Sequence, residues 1–229
     1  MKPIFEDPPA RQRPPASTPV AQPRRPVGVS SGFTDLDELL PGEGWPCPGV
    51  TEVLSQQPGI GELGLLMPAL ARLARSQQRW IAWIAPPQLP HAPALAYHGI
   101  DLGRVLLVHG RAGHDALGAA EQALASGACA AVLVWPRQFD LHGLRRLRIA
   151  ARKGECSGFV LRVVDVPEAS EPGGLRVVVA PAARGLRVDV RHGRGRRGVH
   201  GVHLDIPHAM SEPFFFRPPG ARRPPRHVH

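Results

Sequence analysis

Short runs of continuous apolar residues alternate along this chain with stretches whose apolar positions recur at helical spacing. Val50–Leu54, Arg79–Ala85, Val105–Val108, Ala130–Trp135 and Gly158–Val164 read as buried strands. Between them, ELGLLMPALARLARS places apolar residues at 63, 66, 70 and 73, which predicts a helix that Pro68 would kink. Residues 92–98 form a short helix ending at Gly99. Residues 114–126 form an amphipathic helix stopped at Gly127, and 141–153 a basic helix again ended by glycine. A further short helix begins near Thr34, whose hydroxyl is expected to cap it. Strands that are apolar throughout and alternate with helices predict an α/β fold with a mostly parallel sheet covered on both faces. After Gly174 the texture changes. LRVVVA, LRVDVRH and GVHLDI follow one another with no helix between them, predicting antiparallel edge strands that close the sheet.

Composition limits this to one substantial core, since the chain has 229 residues and 43% hydrophobic content. Eight of the 27 prolines fall between Pro3 and Pro26, and six more between Pro207 and Pro225. Proline lacks a backbone donor and resists helix and central strand alike. Residues 1–29 and 207–229 therefore read as disordered Pro/Arg-rich tails around one domain at 30–206. The net charge of +9 follows the same division, with +3 in residues 1–30, +6 in 191–229 and a neutral middle. The basic balance suggests a nucleic-acid partner. Its confinement to the end segments equally fits compositional bias in unstructured chain. Cys47, Cys129 and Cys156 are odd in number, widely spaced and form no CxxC, as expected of a reducing cytoplasm. No apolar run approaches the roughly 18 residues a membrane helix needs.

In a parallel α/β protein, phosphate usually binds in the loop after the first core strand. Here that loop runs from Ser55 to Leu63. A working phosphate loop reads G-x-x-x-x-G-K-S/T. In this register Gln56 takes the place of the first glycine and Gly61 matches the second. Glu62 stands where lysine should neutralise phosphate, and Leu63 where a hydroxyl should hold magnesium. A carboxylate there repels phosphate by roughly 4 kcal/mol at about 4 Å and an effective dielectric near 20. Leucine cannot ligate a hard cation. No cofactor and no catalytic residue are expected.

The flanking residues resemble the RecA-type entry to a phosphate loop. Ser31-Gly32-Phe33-Thr34-Asp35-Leu36-Asp37, Leu40 to Pro46 and Gly49-Val50-Thr51-Glu52 are similar to S-T-G-x-x-x-L-D, G-G-x-P-x-G and the strand that follows. His98 to Leu102 looks like the RecA segment L-G-V-D-I. Asp115-Ala116-Leu117 and Leu124 to Ala128 fit the helix before the Walker B strand. On this resemblance the core is RecA-like. Pro87 occupies the place of the catalytic glutamate and Trp135 that of the magnesium-site aspartate.

Within that group, PGIGELGLLMPALARL with RWIAWIAPP and APALA-x-x-GIDL is most similar to the ImuA family, also described as SulA-like. The resemblance covers roughly residues 30–165. It implies a non-enzymatic accessory of SOS-induced, error-prone translesion synthesis. Its partners would be a Y-family polymerase-like protein of ImuB type and an error-prone DNA polymerase, with DNA or RecA as further candidates. The related SulA proteins share the degenerate fold and block cell division by binding FtsZ, so SulA-type inhibition is the alternative. A packed N-terminal helix for RecA-like filaments is not expected from residues 1–30, which favours a monomer or hetero-complex.

Three further groups are candidate contacts. Arg145, Arg146, Arg148, Arg152 and Lys153 share one helix, as a solvated face or as a contact for DNA or an acidic partner. Arg194, Arg196 and Arg197 lie in an Arg-Gly loop, which either tracks phosphates or is a free hairpin tip. Phe214, Phe215 and Phe216 stand among Pro and Arg, as exposed anchors for a partner or as rings folded back onto the domain. His200, His203 and His208 match no standard zinc spacing.

Overall fold

The computed structural model describes residues 28–109, 115–165, 174–192 and 200–206. Both tails, the loop with Arg194, Arg196 and Arg197, the Phe214–Phe216 cluster and His208 lie outside the described residues.

The apolar runs form strands β1 (Gly49–Ser55), β2 (Trp80–Ile84), β3 (Val105–Val108), β4 (Cys129–Val134) and β5 (Ser157–Val163). They are followed by β6 (Leu175–Pro181), β7 (Leu186–His192) and β8 (His200–Leu204). The helices are α1 (Thr34–Asp37), α2 (Glu62–Gln77), α3 (Ala92–Tyr97), α4 (Asp115–Ala125) and α5 (Leu141–Lys153). All eight strands join one mixed sheet in the order β3-β2-β4-β5-β1-β6-β7-β8. The parallel strands inside the sheet are buried on both faces, as their unbroken apolar runs require, whereas β3 at the edge is partly exposed. One core packs α2 with Leu36, Trp45, Trp83 and Phe159 on one face. The other packs α4 and α5 over Val50, Ala82, Val132 and Val160.

Two expectations need correction. The sequence pattern predicts that all three C-terminal strands add as an antiparallel edge. Instead β6 lies parallel to β1, with Val53 opposite Val177, and only β7 and β8 run antiparallel to their neighbours. Its interior position is consistent with its buried LRVVV run. Thr34 does not cap α1: it is already helical, Phe33 is the N-cap, and no side chain caps the end. Asp37 ties this segment instead, accepting from Ser30 Oγ and the Ser31 backbone N–H, both at 2.7 Å. Pro68 lies inside α2 without ending it, and its ring faces Gly32. A Cβ on Gly32, whose φ is +90°, would come within 2.5 Å of Pro68 Cβ.

Candidate functional site

The loop after β1 leads into α2 at the edge of the sheet where β1, β2, β4 and β5 all end. Gly61 precedes the helix at φ 108°, a conformation that L side chains rarely adopt. Helices leave their first N–H groups without intrahelical partners. In this loop the anion that meets such donors is the protein's own. The Glu62 carboxylate turns back and accepts from the backbone N–H of Gly59 at 3.0 Å and of Gly61 at 3.2 Å. Glu62 is only 7% exposed and opens α2, where the helix dipole favours negative charge. Two of the loop amides that could cradle a phosphate are therefore engaged from within. Gln56 is exposed, its amide donating to the Asp165 carbonyl at 3.3 Å, which ties the loop to the end of β5.

The other positions of the nucleotide-type pattern are apolar or distant from a charge. Leu63 is buried in the core beneath α2. Pro87 is exposed beyond the end of β2. Trp135 follows β4, its N–H bonded to the Ile84 carbonyl at 3.1 Å, and its ring stacks on the fully buried Trp83 with centroids 5.5 Å apart. Among the described residues, no group of three or more His, Cys, Asp and Glu is placed to hold a metal ion. No described helix is long and apolar enough to cross a membrane.

The basic helix α5 does not present one uniform face. Arg145, Arg146, Arg152 and Lys153 are exposed, and Arg146 pairs with Glu121 of α4. Arg148 instead turns inward, half-buried, against Gly174: a Cβ there would meet Arg148 Nη2 at 2.0 Å. Burial lowers the Arg148 pKa. Glu52 opposes that shift, while Arg152 and Arg176 reinforce it.

Residue-type patterns did not single out Glu52, which the structure makes a charge centre. It is 2% exposed in the middle of β1 and accepts from Arg176 Nη2 at 3.1 and 3.2 Å. Arg162 Nη1 stands 3.6 Å from its other side. The available signal was a lone carboxylate inside an apolar strand, which must find a cation when buried.

Fold and site define a class: a mixed α/β domain whose nucleotide-type loop is filled by its own carboxylate. Residues 50–158 match the family model described as "Cell division inhibitor SulA". The chain is 34% identical over 99 residues to the cell division inhibitor SulA of Pectobacterium carotovorum, covering 43% of this chain and 58% of that one. It is 31% identical over 102 residues to the SulA of Photorhabdus laumondii, covering 44% and 57%. The matched part thus spans less than two thirds of these curated relatives. A crystal structure of SulA from Pseudomonas aeruginosa is 27% identical, with a TM-score of 0.44, covering 51% of this chain and 98% of that one. The family model and the curated relatives correct the expectation of a translesion accessory. The family model and the relatives are those of a cell division inhibitor, and they do not support the polymerase-like and polymerase partners.

Proposed function

We propose that this chain is a non-catalytic, SOS-linked cell division inhibitor of SulA type that acts by binding the division-ring protein FtsZ. The observation that carries this reading is the family match over residues 50–158, together with the relatives' common description. The loop geometry supports the non-catalytic part, because Glu62 occupies the amides a nucleotide would need. In this reading the domain at 30–206 derives from a RecA-type ancestor and keeps its framework as a binding scaffold. Arg145, Arg146, Arg152 and Lys153 then serve as outward contacts, and Arg194, Arg196, Arg197 and Phe214–Phe216 are further candidate contacts.

The test is overproduction in the native host without DNA damage, with cell length and FtsZ capture as readouts. Filamentous cells and FtsZ recovered with the tagged chain are expected. Cells of normal length at full expression, with no FtsZ recovered, would overturn the proposal.

A further inference from the structure

Strands β6, β7 and β8 extend the sheet beyond the segment that resembles SulA, which ends at residue 158. One face of this extension belongs to the core, through Val177, Val179, Leu186, Val188, Val190 and Leu204. The alternation of strand side chains sends their neighbours to the opposite face, the side of α5. That opposite face carries Arg176, Arg187, Asp189, Arg191 and His203. The helices on this side, α4 and α5, pack over β4, β2, β1 and β5.

Among the described residues, the arginines on this face outnumber the carboxylates they pair with. Arg176 lies directly opposite Arg191 in the β6–β7 ladder, a like-charge pair that is unfavourable unless an anion is near. Glu52 already serves Arg176 and Arg162. Arg187 takes Asp189 at 3.2 Å, in an exposed pair. Arg148 Nη2 and Arg191 Nε are buried with no hydrogen-bond partner among the described residues. Among the described residues, the carboxylates paired on this face are Glu52 and Asp189, and neither forms an ion pair with Arg148 or Arg191.

We propose that this arginine-lined face of β6–β8, flanked by Arg148 of α5, docks an acidic protein segment. Guanidinium groups bond carboxylates through paired, directional N–H donors, which suits a surface with partnerless donors and surplus positive charge. A protein segment is favoured over nucleic acid because β6, β7 and β8 contain no Phe, Tyr or Trp on which a base could stack. Docking here does not depend on the cell-division reading, since binding is measured directly.

The experiment titrates the full chain with labelled poly-glutamate peptide, poly-glutamine of equal length and a single-stranded oligonucleotide, all followed by fluorescence anisotropy. Poly-glutamate should bind and poly-glutamine should not. The double variant Arg148→Gln/Arg191→Gln should weaken binding about tenfold or more. Arg187→Gln, at an exposed position, should weaken it a few-fold without touching the buried charges. Arg72→Gln, at an exposed position of α2 on the other side of the sheet, should leave it unchanged. Circular dichroism checks that each variant is folded, and Arg187→Gln decides if the double variant is not. No binding of poly-glutamate overturns the proposal, as does equal binding by wild type and Arg187→Gln. An equal loss in Arg72→Gln, or tighter binding of the oligonucleotide through the same arginines, also overturns it.

Discussion

The carboxylate of Glu62 accepts a hydrogen bond from the backbone N–H of Gly59 at 3.0 Å, so the start of α2 carries its own anion. Removing that carboxylate leaves the Gly59 and Gly61 amides without this partner. Glu62→Ala should destabilise the chain by about 1 to 2 kcal/mol, as losing two hydrogen bonds to a charged acceptor does. Urea unfolding measures it. A change within experimental error would show that the loop amides find another partner at no cost.

Restoring the lysine should not restore chemistry. Glu62→Lys leaves Leu63, Pro87 and Trp135 in place, so neither a magnesium ligand nor a catalytic base returns. No ATP hydrolysis is expected from wild type or variant in a phosphate-release assay. Turnover above a no-protein control would contradict the non-catalytic reading.

The pair of Glu52 and Arg176 is nearly closed to solvent, so Glu52→Gln removes the buried carboxylate that meets both Arg176 and Arg162. Glu52→Gln should lower stability by roughly 3 to 5 kcal/mol. Replacing both partners, as in Glu52→Leu/Arg176→Met, should recover much of that loss, because an apolar pair carries no desolvation penalty. Thermal unfolding of the single and double variants gives the comparison. A double variant less stable than Glu52→Gln would show that Arg162 and Arg148 depend on the carboxylate as well.

Trp83 is fully buried and stacks on Trp135. Trp83→Ala should cost roughly 3 to 5 kcal/mol through lost burial and the cavity left behind. Trp135→Ala, at a partly buried position, should cost less. Near-UV circular dichroism should lose the signal of the stacked pair in both variants.

Stability should fall in alkaline solution. Burial raises the pKa of the Cys129 thiol, and raises that of Cys156 further. The folded chain thus holds these protons to higher pH than the unfolded chain does. Their contribution is complete below the ordinary thiol value of about 8.5 and is lost as pH climbs toward the folded values. Urea midpoints at about pH 7 and about pH 9.5 should show the decline, and Cys156→Ala should lessen it. A midpoint independent of pH in wild type would refute the assignment.

Much of the architecture is legible from residue patterns. Each apolar run from Val50 to Val164 becomes a strand, and helix α2 holds Leu63, Leu66, Leu70 and Leu73 on its buried side as their spacing implies. These are local consequences of side-chain periodicity, which a chain carries wherever it folds. Gln56, Glu62 and Leu63 likewise mark the nucleotide-type loop as degenerate by residue type alone. The same motifs point to a SulA-like group, yet they do not separate a translesion role from division inhibition, because both rest on one shared framework.

The sequence by itself determined the elements, their alternation and the residue types of the loop after β1. The tertiary structure alone decided what each charged side chain meets. It placed β6 parallel beside β1 and so set Arg176 against Glu52, residues 124 positions apart. It turned Arg148 inward while Arg145 and Arg146 stayed in solvent, and it folded Glu62 back onto its own loop. Periodicity reports which face of an element is apolar, whereas the partner of a buried charge depends on strand order and register, which arise only when distant segments pack.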